Sequence, residues 1–178
     1  MGNEIVKKNH NYEIVFRWEY TDHADSRIHM YDPRLEKCFL TLAKELGGSL
    51  YIELSERVKD QKQVMSDLGE LFAQAICQRC TEIENKRNYR GTGVGSLNDG
   101  RNKVSCELSL PGRAGWVYEI LSDRMIEDEF AISDFFESLV SHTGLRLKFR
   151  IQDDGRDYGE KMFAAFGEAL QESFLENL

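Results

Sequence analysis

The sequence predicts an α+β protein made of two tandem repeats, each a small sheet with two helices on one face. Three observations predict it. Arg34 to Cys80 reads helix, glycine, strand, loop, helix, and Ala131 to Phe174 reads the same way. The two stretches are displaced by about 95 residues, far beyond a solenoid period, so they form a duplicated half-domain. Aligned without gaps, the final helices pair Leu68 with Met162, Phe72 with Phe166, Ala75 with Ala169 and Ile76 with Leu170. Each set follows the helical period, so each copy is expected to lay one apolar stripe on a sheet.

Each element has its own signal. Tyr12 to Tyr20 (YEIVFRWEY) alternates apolar and polar residues, as a half-buried strand does, and Arg27 to Met30 reads as a second short strand. Asp32-Pro33 marks a helix start, because proline suits the first helical position. Gly47-Gly48 and Gly144 end the first helix of each copy, where a left-handed cap is favourable. In the second half, Val104 to Leu110 and Trp116 to Leu121 read as strands joined by the turn Pro111-Gly112-Arg113-Ala114-Gly115. The chain is therefore expected to divide into a β-β-α-β-α repeat over residues 1–85, a glycine-rich connecting loop over 86–101, and a second β-β-α-β-α repeat over 102–178. The loop contains Gly91-x-Gly93-x-Gly95, whose spacing matches neither the dinucleotide fingerprint nor the P-loop. Linker and anion contact both stay open for it.

Composition narrows the function classes. At 178 residues, 41% hydrophobic and with only two prolines, the chain is an ordered globular protein. A net charge of −8 disfavours nucleic acid, which wants a basic footprint. No apolar run is long enough to span a membrane, the amino terminus has no signal-peptide core, and Val6 stands where a myristoylation signal wants serine or threonine. A cytoplasmic protein is expected. Cys77 and Cys80 form a single Cys-x-x-Cys late in a helix, whereas a zinc site wants two pairs and a redox site a helix start. Cys77 is expected to be a small core residue. His10, His23 and His29 have no ligand spacing, and His142 complements a helix C-terminus.

Three segments carry a resemblance: Ile132 to Leu170, with its aromatic-rich helix, glycine, alternating strand and long helix; Ser66 to Ile76 (SDLGELFAQAI); and Lys86 to Arg113, ending on Gly112-Arg113. In these the chain resembles the imidazoleglycerol-phosphate dehydratase family, over most of its length beyond about Leu35. The resemblance implies the ribosomal protein S5 domain 2-like fold, and a trimer-based homo-oligomer with pockets at subunit contacts. It also implies manganese held by a His-His-x-x-Glu cluster in each repeat, a donor set that suits such a metal. Here the first cluster falls on Lys62, Gln63 and Ser66, and the second on Arg156, Asp157 and Glu160. A further family histidine falls near Cys38, and an Asp-Glu pair falls on Gly100 and Arg101. The family's carboxy-terminal tail, which adds phosphate contacts, would lie beyond Leu178. No metal or other cofactor is therefore expected.

The resemblance leaves Arg90 and Arg113 as candidate anion-binding residues, since guanidinium groups suit bidentate phosphate contact. Asp157, Glu160 and Asp67 are a candidate residual carboxylate cluster, with helix-start acids as the plainer reading. Three functions follow. The favoured one is a non-catalytic binding or assembly protein, with a small anionic metabolite as its candidate ligand. The alternatives are an active carbon–oxygen lyase of the family, in histidine biosynthesis or on a related phosphorylated metabolite, and a generic α/β protein binding through its sheet edge.

Overall fold

The computed structural model describes residues 4–20, 25–58, 60–84, 89–100, 102–110, 115–120, 129–152 and 158–175. In the first half, β1 (Glu4–Lys8), β2 (Tyr12–Trp18) and β3 (Arg27–His29) precede α1 (Pro33–Glu45), β4 (Gly48–Leu54) and α2 (Gln61–Glu84). The second half repeats that order as β5 (Thr92–Asn98), β6 (Lys103–Ser109), β7 (Gly115–Ile120), α3 (Glu129–Thr143), β8 (Arg146–Gln152) and α4 (Tyr158–Ser173). The sheets have the same topology, β1-β2-β4-β3 and β5-β6-β8-β7. All pairs are antiparallel except β3 with β4 and β7 with β8.

Each repeat is thus β-β-β-α-β-α, one strand richer than the sequence reading. The missed strands are β1 and β5, and β5 lies inside the stretch expected to be a connecting loop. Local signals fix the rest. The Asp32 side chain accepts the Arg34 backbone N–H at 2.9 Å, with Pro33 in the first turn. Gly47 and Gly144 adopt φ of 64° and 72° after α1 and α3, the left-handed backbone that glycine enters without a side-chain clash.

Strand alternation buries one face of each sheet. Ile14, Phe16, Leu50 and Ile52 point inward from the first sheet, and Val104, Cys106, Leu147 and Phe149 from the second. The helices of each repeat lie on their own sheet and meet those of the other, α2 against α3 and α1 against α4. Gly69 permits the first meeting, because a Cβ there would lie 2.5 Å from the Phe135 carbonyl oxygen. Where the four helices converge, each supplies one phenylalanine. Phe39 has ring centroids 5.2 Å from Phe135 and 5.1 Å from Phe163, and Phe72 lies 5.9 Å from Phe135. Edge-on and tilted contacts of this kind add to area burial. The paired stripes are all buried: Leu68, Phe72, Ala75 and Ile76 on α2, and Met162, Phe166, Ala169 and Leu170 on α4.

The cysteines depart from expectation. Cys77 is exposed, Cys80 half-buried, and Cys38 and Cys106 buried, all as free thiols. His142 lies in the last turn of α3 with Nδ1 2.7 Å from the Ser138 carbonyl, a structural contact. His10 and His29 are exposed, and His23 lies outside the described residues.

Candidate functional site

Two groups of sequence-predicted residues can be located. The first is the candidate carboxylate cluster. Asp67 lies in the second turn of α2, not at its start, and accepts the Tyr12 hydroxyl at 2.5 Å and the Gln63 side-chain amide at 3.0 Å. Burial, then the bond to Asp67, pushes the Tyr12 phenol up to about 12. Glu160 lies in the first turn of α4 and accepts the Thr41 hydroxyl of α1 at 3.0 Å, with the Lys37 ammonium 3.9 Å away. The two carboxylates therefore have separate partners on separate helices, and Asp157 lies outside the described residues. Lys62 and Gln63 are exposed in the first turn of α2, and the Ser66 carbonyl accepts the Ser138 hydroxyl of α3 at 2.6 Å. Among the described residues, no group of three or more His, Cys, Asp or Glu side chains is placed to hold a metal ion.

The second group surrounds β5. The glycine-rich stretch is an edge strand pressed under α4. A Cβ on Gly93 would lie 1.8 Å from the Ala169 carbonyl oxygen, and one on Gly95 1.9 Å from that of Ala165. Only glycine on the strand and small residues on the helix allow backbone to approach backbone so closely. Edge N–H groups left over by the ladder go to α4 carboxylates: Val94 donates to Glu172 at 2.6 Å and Ser96 to Glu168 at 2.9 Å. Gly91 donates to the Ser173 carbonyl at 3.0 Å. The phosphate-cradle reading therefore gives way, because carboxylates and a carbonyl already take these donors. Arg90 shares the arrangement, its guanidinium 3.3 Å from Glu172. Arg113 lies outside the described residues.

Arg90 and Glu172 stand at the rim of a cavity of about 520 Å³ on the outer face of the second sheet. Its cations on β8, Arg146 and Lys148, were given no role from sequence. The available signal was the alternation in RLKFRIQ, which puts every charge of that strand on one face.

No protein-family model and no curated protein matches the chain. Solved structures do. Imidazoleglycerol-phosphate dehydratase from Staphylococcus aureus subsp. aureus N315 superposes with a TM-score of 0.75 at 18% identity, covering 98% of this chain and 100% of that one. IGPD from Pyrococcus furiosus in complex with (S)-C348 superposes with a TM-score of 0.71 at 13% identity, covering 97% and 94%. This chain has the imidazoleglycerol-phosphate dehydratase fold. The likeness runs over nearly the whole length of this chain, and so over both repeats. No helix among the described residues is long and apolar enough to cross a membrane.

Proposed function

We propose that this chain is an imidazoleglycerol-phosphate dehydratase-like protein that does not carry out the manganese-dependent dehydration and serves as a binding or assembly protein. The observation that carries this reading is the state of the positions where the resemblance puts metal ligands. Lys62 brings a positive charge, and Gln63 and Ser66 are neutral groups that manganese selects poorly against imidazole and carboxylate. Cys38 is buried in the apolar core, a small packed side chain where the resemblance puts an imidazole. Glu160 is the one family ligand kept in its place, and it is engaged by Thr41 and Lys37. These residues do not fit a manganese pair. Asp67 and Glu160, held apart by different partners, do not replace it.

The same reading takes the protein as a cytoplasmic homo-oligomer, trimer-based as the resemblance implies. Full-length likeness to dehydratases favours the alternative, an active lyase of the family. Elemental analysis after manganese loading, with turnover on imidazoleglycerol phosphate, separates the two. We expect substoichiometric manganese and no turnover; stoichiometric manganese with turnover would establish the lyase. Light scattering at micromolar concentration is expected to give a multiple of the 20.6 kDa chain mass, and a single monomer species removes the assembly role.

A further inference from the structure

The outer face of the second sheet is a built surface that the dehydratase likeness does not explain. Register places Thr92, Ser109 and Arg146 side by side across β5, β6 and β8. The next outward row is Val94, Glu107, Lys148 and Val117. Short hydroxyl side chains on β5 and β6 thus lie beside long cations on β8, and the height difference makes a trough. The cavity of about 520 Å³ over these rows continues, through Val94 and Glu107, into a second of about 330 Å³ towards Lys103 and Arg150. Each is within the size range of small-molecule sites.

Its electrostatics run against the chain as a whole, whose net charge is −8. Arg150 is tied to Glu119 at 3.1 Å and Arg90 to Glu172 at 3.3 Å. Arg146 and Lys148 are exposed, and among the described residues neither has an ion pair or a side-chain hydrogen bond. Two residues apart on one strand face, they stand about 7 Å from each other. That spacing lets a planar guanidinium and a point-charge ammonium reach oxygens of one ligand.

We propose that this trough binds a small organic phosphate, its phosphoryl oxygens on Arg146 and Lys148 with Thr92 and Ser109 as hydroxyl donors. Donors from three strands converge on one place, which suits the distributed acceptors of a phosphoryl group better than the two oxygens of a carboxylate. Glu107, opposite Lys148 in register, cannot welcome a phosphoryl oxygen and faces the ligand's hydroxyl-bearing part instead. The site opens on the outer face of the sheet, with Glu172 of α4 at its rim already engaged by Arg90 and the Val94 N–H, so it holds whether or not the metal-dependent reaction survives.

The test is isothermal titration of the full chain with inorganic pyrophosphate and with glycerol 3-phosphate at low ionic strength. One site per chain is expected, weakening as sodium chloride screens it. The Arg146→Gln/Lys148→Gln double variant is expected to bind about tenfold more weakly or worse. Arg17→Gln, on the equivalent face of the first sheet, should leave binding unchanged. Thermal melts and light scattering confirm that each variant keeps its fold and mass. Absence of saturable binding by the unaltered protein, or equal binding by a folded double variant, overturns the proposal. So does a double variant that changes assembly mass while the unaltered protein ignores both probes, since the face is then a contact between copies.

Discussion

The two sheets share strand order, register pattern and relation to their helices, yet their outer faces are chemical opposites. On the first, Arg17 stands opposite Glu4 and bonds to it, Lys8 lies 3.3 Å from Glu13, and Tyr51 donates to Glu53. Between these rows run Val6, Val15 and Tyr51, with exposed Arg27 of β3 at the end of the row. Its cavity is about 180 Å³, against about 520 Å³ on the second sheet. Where β8 carries Arg146, Lys148 and Arg150, β4 carries Ser49, Tyr51 and Glu53. Inward positions pack against helices and stay apolar in both repeats. Outward positions carry no packing duty, so duplication freed one face to pair most of its charges and the other to gather cations on one strand.

The inner faces differ too, and that difference gives the largest expected effect. Beneath α4 the edge strand β5 presents Gly93 and Gly95, while beneath α2 the edge strand β1 presents Ile5 and half-buried Lys7, which pairs with Glu70. In the second repeat, helix and edge strand touch backbone to backbone; in the first, side chains hold them apart. Gly93→Val is expected to cost about 3 kcal/mol or more by chemical denaturation, because the helix backbone cannot yield as a side chain would. Ile5→Val, the matching position in the first repeat, should cost about 1 kcal/mol. Equal losses would mean that the two edges are packed alike.

A smaller effect tests how the second edge is closed. Glu172→Ala removes the acceptor for the Val94 N–H and the partner of Arg90. About 2 kcal/mol is expected, with Glu172→Gln recovering most of it through the side-chain carbonyl. The exposed edge should also promote self-association, since an unpaired strand edge is a template for another strand. Concentration-dependent sedimentation checks that outcome.

These edges also show what was legible in the sequence. The duplication, the helix caps and the alternating strands were readable because each is local or periodic. β5 was not, because TGVGSLN has the low strand propensity that marks a loop. Its glycines answer a helix some 70 residues later in the chain, at Ala165 and Ala169. Arg90 read as a candidate anion-binding residue for the same reason, with its partner Glu172 as far away. The candidate carboxylates were found as residues but not as a cluster, since their partners, Tyr12 for Asp67 and Thr41 for Glu160, belong to different elements. Arg146 and Lys148 were visible as alternation, but only sheet register showed hydroxyl groups lying beside them.

The ties between each second helix and its sheet should separate by pH. In the first repeat the Tyr12 hydroxyl holds Asp67 of α2; in the second, Lys161 of α4 holds Asp99 of the β5–β6 turn at 2.9 Å. Tyr12 is pushed above its ordinary 10.0 to about 12, so its contribution is intact below pH 10 and is lost as pH rises through 12. The Lys161 hydrogen bond lowers the Asp99 carboxyl below its ordinary 3.8, so that contribution is present above pH 4 and lost as pH falls. Hydrogen exchange across both extremes is expected to loosen β2 and α2 first in alkali, and β5 and α4 first in acid. Tyr12→Phe should erase the alkaline asymmetry at a cost of about 1 kcal/mol.

The smallest expected effect bears on the outer faces again. If unpaired cations make the second face distinct, freeing another should strengthen it. Glu119→Gln releases Arg150, which lies one row from Lys148 on β8 and lines the continuation of the trough. An exposed ion pair is worth little, so pyrophosphate affinity should rise only about twofold to fivefold. Glu4→Gln frees Arg17 on the first sheet in the same way, beside Arg27 and Ser49, but in a cavity of only about 180 Å³ that Asp25 also lines. No pyrophosphate binding should appear there. If releasing Arg17 alone creates a site, recognition needs only an unpaired charge, and the row-by-row arrangement of the second sheet loses its significance.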